Sequence, residues 1–456
     1  MMRVAASRSV AFDTIRAVHE SDAYANLLLP TSISRAGLEG PDAALATELT
    51  YGTLRRQGTY DAVISLAAER SVQDIDPGVL DALRLGVHQL LSTRVASHAA
   101  VHESVELARA AAGRGASGFA NAVLRRVSRD TPGDWMTRIA ESARSDDERI
   151  GLLTSHPVWV VRAMRRALAA EGRAEELEAL LTADNAAPRV TMAALPGLAE
   201  IPEDARRTPF SPLGFRLGGG DPEAMITGSG GRIRVQDEGS QLAALALTRA
   251  MPIAPGERWL DLCAGPGGKT AVLAAEALAS GALLEANEIS PARAGLVRRA
   301  IAGVPLEVTV SEEDGRVRAQ EAPETYDRIL VDAPCTGLGA LRRRPEARWR
   351  KSPSDVPALT ALQHELLDAA LGALKPGGVV AYVTCSPHLA ETSGVVAEVR
   401  REWGAAVEEM SARDVITALA TGDPDLAPQA DGSGRAQLWP HRHNTDAMSI
   451  SLLRRV

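Results

Sequence analysis

The segment RWLDLCAGPGGKTAVLAAEALA, residues 258–279, decides the fold of the carboxyl-terminal half of the chain. It opens with a short apolar run of strand type, passes through glycines at 265, 267 and 268, and ends in a helical pattern rich in alanine. A strand, a glycine-rich turn and a helix in this order form a βα unit. The same alternation continues in ALLEANE, PARAGLVRRAIAG, YDRILVDAP, a helix over about 356–374, and GGVVAYVTCS. The pattern predicts an α/β, doubly wound domain with a parallel sheet covered on both faces.

The amino-terminal part has a different, helical pattern. Apolar residues recur at three- and four-residue spacing in PDAALATELTYGTLRR, PGVLDALRLGVHQLL and AVHESVELARAAA, which predicts an all-α domain. Gly113, Gly115 and Gly118 interrupt the helical pattern that follows, and the turn cluster RDTPGD at 129–134 ends it.

A third pattern connects these two parts. Residues 135–230 contain the helical segment HPVWVVRAMRRALAA, strand candidates in APRVTMAAL and GFRL, and the glycine-rich stretch GGGDPEAMITGSGG, which is typical of a linker. We therefore predict three domains, over residues 1–130, 131–230 and 231–456.

Composition restricts the class of protein. The chain has 456 residues, of which 45% are hydrophobic, so it is not a mainly disordered protein. An uninterrupted run of 18 apolar residues is lacking, and acidic residues occur near the amino terminus, which predicts a cytoplasmic protein with no membrane partner. Three cysteines without CxxC spacing exclude a disulfide framework and make a zinc site a poor interpretation.

The turn after the first strand of an open α/β sheet is where a ligand binds, so its spacing bears on the cofactor. A P-loop requires a glycine five positions before Gly268, and that position is Cys263, although Lys269 and Thr270 fit the Walker pattern. A dinucleotide fingerprint that starts at Gly265 requires a third glycine at position 270, which is threonine. The cofactor class that remains is S-adenosylmethionine.

This cofactor requires two further features. Its carboxylate can rest on the N-terminus of the following helix and on Lys269, while its ribose hydroxyls need an acid at the end of the second strand. Glu288 lies 20 residues after Gly268, the separation expected for a ribose-binding carboxylate. The alternative for Glu288 is an ordinary solvated acid at a strand end.

Two cysteines follow later strands of the predicted sheet, Cys335 in DAPC and Cys385 in TCS. A single cysteine is more often a small buried apolar residue than a nucleophile, but two at carboxyl ends of strands beside a cofactor loop favour chemistry. Methylation at carbon 5 of a pyrimidine requires a thiolate that first adds to carbon 6, and a second group can then assist release. The residues alone leave open which cysteine attacks.

Seven motifs together carry a resemblance to a known family: VQDEGSQLAALAL, DLCAGPGGKT, ANEIS, EEDGR, RILVDAPCTGLGALRRRPEARW, VVAYVTCS and LWPHRHNTDAM. With these motifs the chain resembles the Sun/NOL1/NOP2 family of RNA cytosine-5 methyltransferases, and its helical first domain resembles the NusB-like domain of the bacterial 16S rRNA branch, RsmB (Fmu). The resemblance implies an all-α NusB-like domain followed by a Rossmann-like S-adenosylmethionine-dependent methyltransferase domain.

The resemblance assigns roles to individual residues. It makes Cys385 the nucleophile and Cys335 the residue that aids proton removal and product release. It places Asp332 beside the cytosine, where it would hold N3 and the exocyclic edge. The other interpretation of Asp332, a Walker-B-like acid on magnesium, needs the P-loop that the spacing excludes. The expected cofactor contacts are Cys263, Ala264, Gly265, Pro266, Gly267, Gly268, Lys269, Glu288, Asp314 and Asp332.

Two of these motifs depart from the common family pattern. The loop reads CAGPGGKT where CAAPGGKT is frequent, and Cys263 within it is best interpreted as a small packing residue. The second strand ends in NEIS, so that Glu288 replaces an aspartate and reaches further. Asp314 is expected near the adenine.

The predicted partner is small-subunit rRNA, and the protein is expected to be a monomer. The net charge of −8 argues against a nucleic-acid partner, but six cations fall within residues 342–351. We expect this run to contact phosphates, with a solvated face as the alternative. The NusB-like helices would add RNA surface or serve a stabilising or docking role. The predicted RNA-binding side chains are Arg342, Arg343, Arg344 and Arg348.

Three functions remain open at this point. The first is S-adenosylmethionine-dependent methylation of rRNA, the second an RNA-binding protein with an inactive methyltransferase domain, and the third a P-loop ATPase, against which Cys263 argues. No metal site is predicted, because His441 and His443 lack a third ligand and are interpreted as loop residues near the substrate.

Overall fold

The computed structural model describes residues 4–21, 23–219 and 221–456, and the chain divides into two compact units. The helical unit contains the chain up to Arg162, together with Leu181–Ala187 and Leu341–Arg350. The sheet unit contains Ala163–Leu180, Pro188–Ala340 and Lys351–Val456.

Helices make up most of the first unit and alternate with strands in the second. The helices are α1 Ala6–Glu20, α2 Ala25–Arg35, α3 Gly40–Arg55, α4 Gln57–Ala68, α5 Pro77–Ser92, α6 Ser97–Val127, α7 Pro132–Ser142, α8 Asp146–Thr154, α9 Val158–Ala169, α10 Leu177–Ala183, α11 Pro222–Gly228, α12 Glu238–Arg249, α13 Gly268–Ser280, α14 Pro291–Ile301, α15 Gly315–Gln320, α16 Ala347–Arg350, α17 Val356–Ala373, α18 Ser393–Trp403, α19 Ala412–Leu419 and α20 Pro440–His443. The strands are β1 Thr191–Ala194, β2 Arg206–Arg207, β3 Gly214–Arg216, β4 Ile233–Val235, β5 Arg258–Asp261, β6 Leu283–Asn287, β7 Thr309–Ser311, β8 Tyr326–Asp332, β9 Leu374–Thr384, β10 Val407–Met410, β11 Ala436–Gln437 and β12 Ser449–Arg455.

The all-α prediction for the amino-terminal domain is confirmed, but its compact unit extends past the predicted end at 130. The turn cluster there starts a new helix, because Thr131 and Asp134 form a capping box around Pro132. Trp135 and Ile139 of α7 then join the core of the unit. Burial of Ile139 alone contributes about 2 kcal/mol, so α7 remains with the preceding helices. The core includes Phe12, Ile15, Leu49, Tyr60, Leu83, Leu85 and Leu124.

Glycine interrupts α6 at one of the three predicted places. Gly113 has φ 83°, a left-handed conformation that kinks the helix, whereas Gly115 and Gly118 lie within it. The interruption that the glycines predict is therefore confined to Gly113 and the preceding Ala112, whose backbone is also non-helical.

The segment Leu341–Arg350 completes the helical unit, although it lies far along the chain. Arg348 is fully buried, and its guanidinium donates to the backbone carbonyl oxygens of Arg55 at 3.3 Å and Ser155 at 2.9 Å, and to Oδ1 of Asn185 at 2.9 Å. Burial lowers the pKa of Arg348 to about 10, which leaves it charged at neutral pH. These acceptors thus stabilise a buried cation, which would otherwise be costly to remove from water.

This placement corrects part of the predicted RNA surface. Arg348 is 0% exposed and Arg342 only 3%, so neither guanidinium is accessible to phosphate, and Arg348 instead supports the helical unit. Arg343 is half-buried, and Arg344 is exposed, with its guanidinium 5.5 Å from the ring centroid of Tyr24. The charge run alone could not separate these roles, because it contains no information about which carbonyl groups would surround each side chain.

The sheet unit is built on a mixed sheet of eight strands. Five strands run parallel in the order β9-β8-β5-β6-β7, as the βα alternation predicts. One edge differs from the prediction of an all-parallel sheet, because β12 is antiparallel to β9 and pairs in turn with β10 and β11. The strand order reverses between β5 and β8, which places the ligand crevice of such a sheet after those strands.

A second, smaller sheet contains the strand candidates of the predicted connecting domain. Its order is β2-β3-β1-β4, with antiparallel pairing throughout. The predicted linker GGGDPEAMITGSGG is partly wrong, since it contains α11, which Asp221 caps by accepting from the N–H of Glu223 at 3.0 Å. Gly220 of that stretch lies outside the described residues. Among the helices described, none combines the length and apolarity that a membrane span requires.

Replacement of Arg348 by methionine is expected to destabilise the helical unit by about 2–3 kcal/mol, because the carbonyl groups of Arg55 and Ser155 lose a charged donor while remaining buried. Hydrogen–deuterium exchange of the full chain should show lost protection at the ends of α3 and α8. The matched control is Arg344→Met in the same segment, whose exposed side chain should cost less than about 1 kcal/mol. Equal protection in the two variants would contradict a supporting role for Arg348.

Candidate active site

The turn between β5 and α13 is shaped by glycine. Gly267 has φ +102°, and a Cβ at this residue would lie 2.5 Å from Cβ of Ala300 and 2.8 Å from Cα of Val297. No other residue type fits both the conformation and the contact with α14. In the predicted glycine-rich loop the backbone therefore packs closely against α14. The loop leads into the N-terminus of α13, where free N–H groups favour an anionic ligand.

A hydrogen bond between Asp261 and Thr270 joins the two ends of this turn. Asp261 is fully buried at the end of β5 and accepts from Oγ1 of Thr270 at 2.7 Å. Among the residues that the structure describes, none forms a hydrogen bond with its other oxygen, Oδ1. Burial raises the pKa of Asp261 to about 7, since a charged carboxylate is disfavoured away from water. The Thr270 hydroxyl, part of the rejected Walker pattern, thus has a structural partner.

Glu288 lies at the end of β6, as predicted, and contacts the glycine turn directly. Its Oε2 accepts from the N–H of Gly265 at 3.0 Å, and its Oε1 accepts from the N–H of Ser290 at 3.0 Å. Arg293 donates to the carbonyl oxygen of Gly265 at 2.6 Å and lies 3.4 Å from Oε2 of Glu288. The carboxylate is 3% exposed, so the alternative of a solvated strand-end acid is wrong.

Asn287, to which the sequence motifs assign no role, joins three strand ends. Its Nδ2 donates to the carbonyl oxygens of Leu262 at 3.2 Å and Glu313 at 3.0 Å, and its Oδ1 accepts from Oγ of Ser311 at 2.9 Å. The side chain therefore fixes the distances between the loops after β5, β6 and β7. The only sequence signal is its place in the ANEIS motif.

Asp314 caps α15 just after β7. Its Oδ1 accepts from the N–H of Arg316 at 2.9 Å, and the Arg316 guanidinium pairs with the same carboxylate. The hydrogen bond from Arg316 lowers the pKa of Asp314. Asp314 therefore lies at the same edge of the sheet as Glu288, and its contact with an adenine stays a prediction.

Lys269 and Asp332 form an ion pair between the first turn of α13 and the end of β8. The Lys269 ammonium lies 2.7 Å from Oδ2 of Asp332, with the two side chains 10% and 25% exposed. Burial alone would lower the pKa of Lys269, but the Asp332 carboxylate raises it above its ordinary value. The pair joins the predicted cofactor loop to the predicted base-binding acid.

Cys335 and Cys385 come together as their strand ends predict, with their sulfur atoms 3.5 Å apart. The pKa of Cys385 is lowered by the hydrogen bond that its sulfur shares with Cys335 and by the nearby Lys269 ammonium. The pKa of Cys335 is raised by the same hydrogen bond and by burial. The pair therefore divides into one thiol that favours the thiolate and one that keeps its proton.

The third cysteine belongs to the packing of the sheet. Cys263 packs against the core cluster that contains Leu260 and Leu262, and burial raises its pKa. All three cysteines are free thiols.

Gln236 and Gly339 are further residues that the motifs contain but to which sequence reasoning assigns no role. Gln236 is 6% exposed, and its side chain approaches Gly268 at the start of α13. Its Oε1 has no hydrogen-bond partner within the described part of the chain. The N–H of Gly339 donates to the carbonyl oxygen of Cys385 at 2.8 Å, and a Cβ at Gly339 would lie 2.0 Å from the carbonyl oxygen of Ala447. The sequence features that could have indicated these residues are the motif VQDEGSQ for Gln236 and the motif CTGLG for Gly339.

His441 and His443 lie on the short helix α20 and have protein partners. His443 accepts at Nδ1 from the N–H of Trp439 at 2.8 Å and contacts the carbonyl oxygen of Pro424 at 2.6 Å through Nε2, while His441 lies 2.7 Å from Glu176. Both are structural side chains of a helix, not loop residues as predicted.

Comparisons with known proteins bear on both ends of the chain. Residues 249–454 match the family described as 16S rRNA methyltransferase RsmB/F, and residues 5–129 match the NusB family. The chain is 48% identical to Rv1407 of Mycobacterium tuberculosis over 99% of this chain and 96% of that protein. It is 32% identical to ribosomal RNA small subunit methyltransferase B of Pseudomonas putida, over 86% of this chain and 87% of the relative.

Solved structures share the fold. The structure of PH0851 aligns with a TM-score of 0.79 at 21% identity and covers 100% of both chains. A methyltransferase homologue from Pyrococcus horikoshii aligns with a TM-score of 0.50 at 24% identity, over 64% of this chain and 99% of its own. At these identities the likeness concerns the fold alone.

The glycine turn gives a test of cofactor binding. Gly267→Ala is expected to abolish the rise in melting temperature that S-adenosylmethionine produces, because the new Cβ collides with α14. Gly377→Ala is the control, since Gly377 also has positive φ, at +84°, but a Cβ there meets nothing within 4 Å. The control isolates the contact from the backbone strain. Retention of the cofactor-induced shift by Gly267→Ala would contradict this assignment.

Asp261 predicts a pH dependence of stability. In the unfolded chain this acid ionises near its ordinary pKa of 3.8, whereas in the folded protein its pKa is about 7. Between these values the folded state holds a proton that the unfolded state has lost, so its contribution to stability falls as pH rises. Between about pH 5 and pH 7.5 the melting temperature of the Asp261→Asn variant should fall less than that of the wild type. An equal fall in melting temperature for the variant and the wild type would contradict a raised pKa at Asp261.

Proposed function

The chain belongs to the RsmB/F family of 16S rRNA methyltransferases and has a NusB family domain at its amino-terminal end, and from this premise we propose that it methylates carbon 5 of a cytosine in 16S rRNA. The observation that carries the proposal is the pair of thiols 3.5 Å apart at the ends of two adjacent strands. Carbon 5 of cytosine is a poor nucleophile, and a thiolate that adds to carbon 6 overcomes this limit.

The residues of the glycine turn fit S-adenosylmethionine, the methyl donor of this family. The tight approach at Gly267, the helix N-terminus of α13 and the unpartnered buried oxygen of Gln236 form a polar cradle. We propose that the turn from Cys263 to Lys269, with Glu288, Asp314 and Asp332, holds the cofactor. When bound, it supplies an electrophilic methyl group.

In the proposed mechanism Cys385 attacks. Its sulfur forms a bond to carbon 6, and the electrons of the carbon 5–carbon 6 double bond become available at carbon 5. The lowered pKa of Cys385 supports this role, because it raises the thiolate fraction at neutral pH. Carbon 5 then accepts the methyl group, and its proton passes to a water molecule with the aid of Cys335. The electron pair of the broken C–H bond restores the carbon 5–carbon 6 double bond and expels the Cys385 thiolate.

Cys335 and Asp332 assist this sequence. Asp332 accepts a hydrogen bond from the exocyclic edge of the cytosine, beside the ammonium of Lys269. Cys335 aids removal of the carbon 5 proton and release of the product. The contact between the sulfur atoms supports this division of roles, because Cys335, whose pKa is raised, lies within hydrogen-bond reach of the attacking sulfur.

The RNA surface is proposed more narrowly than the sequence predicts. Arg344 is exposed and Arg343 half-buried, and both directly follow the segment that contains Cys335. We propose that these two arginines contact phosphates, and that the NusB family domain adds RNA surface. A base-modifying enzyme must also extrude its target from any stack, which favours an unpaired cytosine.

The reaction is tested directly with labelled S-adenosylmethionine and unmodified small-subunit rRNA. We expect label in the RNA and 5-methylcytosine at one position when the modified RNA is mapped. An RNA-binding protein with an inactive methyltransferase domain would bind the RNA without incorporating label. That result would overturn the proposed function.

The covalent step is tested by trapping. Cys335→Ala is expected to accumulate a protein–RNA adduct that survives denaturing electrophoresis, because release is impaired while attack is not. Cys385→Ala should form no adduct and no methylated RNA, and Cys263→Ala, which leaves both paired thiols in place, should trap no adduct. If Cys335→Ala traps nothing and Cys385→Ala still methylates, the assignment of the two thiols is wrong.

A further inference from the structure

We infer that Glu391 is a positioning residue for the two thiols, an inference that rests on the proposed function. Glu391 is fully buried, and both of its carboxylate oxygens accept hydrogen bonds. Oε1 accepts from the backbone N–H of Thr336 at 2.7 Å. Oε2 accepts from Oγ1 of Thr336 at 2.5 Å and from Oγ of Ser386 at 2.6 Å. One carboxylate therefore joins two separate loops.

These contacts fall on the residues that directly follow the cysteines. Thr336 comes after Cys335 and Ser386 comes after Cys385, and their hydroxyl oxygens lie 3.0 Å apart. The sulfur atoms lie 3.5 Å apart one residue earlier in each loop. Because the carboxylate fixes both neighbours, it also restricts the separation of the sulfurs.

Glu391 is itself held from two sides. Gln363 donates through Nε2 to Oε1 of Glu391 at 3.2 Å and to the carbonyl oxygen of Pro334 at 2.7 Å. The hydroxyl of Tyr382 donates to the backbone carbonyl oxygen of Glu391 at 2.7 Å. The side chain is thus preorganised, as a group that sets a distance between reacting atoms must be.

Its charge also separates the two thiols. The pKa of Cys335 is raised by the hydrogen bond to Cys385, by burial, and further by the carboxylate of Glu391. Near Cys385 the Lys269 ammonium lowers the pKa, whereas the Asp332 and Asp446 carboxylates raise it, so the thiolate there depends on the added charge of Glu391 beside Cys335. A negative charge on the Cys335 side favours the proton on Cys335 and the thiolate on Cys385, which is the division that the proposed attack requires.

A purely stabilising role is a poor account of this residue. A buried carboxylate is costly to desolvate, and apolar side chains of similar size often serve stability as well or better. The donors that converge on Glu391 instead come from both thiol loops. Gly339 forms a second link, through its N–H to the carbonyl oxygen of Cys385 at 2.8 Å, but it has no charge with which to distinguish the thiols.

The test replaces Glu391 by glutamine, which keeps the size but removes the charge and one acceptor. The first measurement needs no methyl transfer: alkylation of each cysteine by iodoacetamide as a function of pH, followed by peptide mass spectrometry. We expect the ratio of the alkylation rate of Cys385 to that of Cys335 to fall by about tenfold. Oxidation by diamide, which takes two electrons and two protons from the thiols to form a disulfide, should join Cys335 to Cys385 more slowly than in the wild type.

The second measurement is steady-state methylation of small-subunit rRNA. We expect kcat to fall about 100-fold, since small displacements of reacting groups have effects of this size, with KM for the RNA and for S-adenosylmethionine changed less than about threefold. Glu238→Gln is the control for the thiol measurements. Glu238 is also buried and accepts from two backbone N–H groups, those of Phe210 and Ser211, both at 2.7 Å.

A second pair of variants keeps the test decisive if Glu391→Gln does not fold. Thr336→Val and Ser386→Ala retain the carboxylate but remove its hydroxyl donors, and both should move the thiol rates in the same direction by a smaller factor. A folded Glu391→Gln protein with wild-type alkylation and crosslinking would overturn the inference, whatever its activity. A wild-type protein that alkylates as expected but never methylates RNA would instead overturn the proposed function.

Discussion

The parallel pairing of β8 with β5 on one side and β9 on the other is the constraint on which the site depends. Asp261 of β5 lies opposite Leu330 of β8, and Asp332 of β8 lies opposite Val383 of β9. The three strands therefore end at one edge of the sheet, and the loops that follow them line one crevice. The glycine turn, the acid of β8 and the two thiols meet there although 124 residues separate Asp261 from Cys385 (385 − 261 = 124).

Polar side chains then convert this coarse proximity into fixed distances. Asn287 joins the loops after β5, β6 and β7, while Glu391 joins the loops after β8 and β9. Both side chains are nearly or fully buried, where hydrogen bonds are strong and an unmet partner is costly. The two halves of the crevice, one proposed for the cofactor and one proposed for the base, are thus each held by one buried side chain.

Much of this arrangement follows from sequence, and the exceptions have physical causes. Strand ends and glycine spacing predict the turn, Glu288 and the two cysteines, because local pattern and strand order determine them. Glu391 escapes prediction because it follows the TCS motif by several residues and its burial depends on donors from two distant loops. The prediction that the arginine run binds RNA is partly wrong for the same reason. Arg344 and Arg348 belong to one run of cations, and the sequence does not distinguish them. Arg348 is buried among carbonyl groups of distant segments, whereas Arg344 is exposed. The antiparallel edge strands escape because pairing partners, not strand propensity, determine their direction.

The burial of Arg348 has a consequence for the way in which the protein is synthesised. The helical unit begins at the amino terminus, yet the cation that satisfies the carbonyl groups of Arg55 and Ser155 is made 186 residues after Arg162 (348 − 162 = 186). At about 5–20 residues per second, the ribosome needs about 10–40 s to add that stretch. During this interval the first unit has left the ribosome without its last segment, and its final stability is reached only after much of the second unit has been translated. Completion of the first unit therefore depends on a segment that is translated within the second.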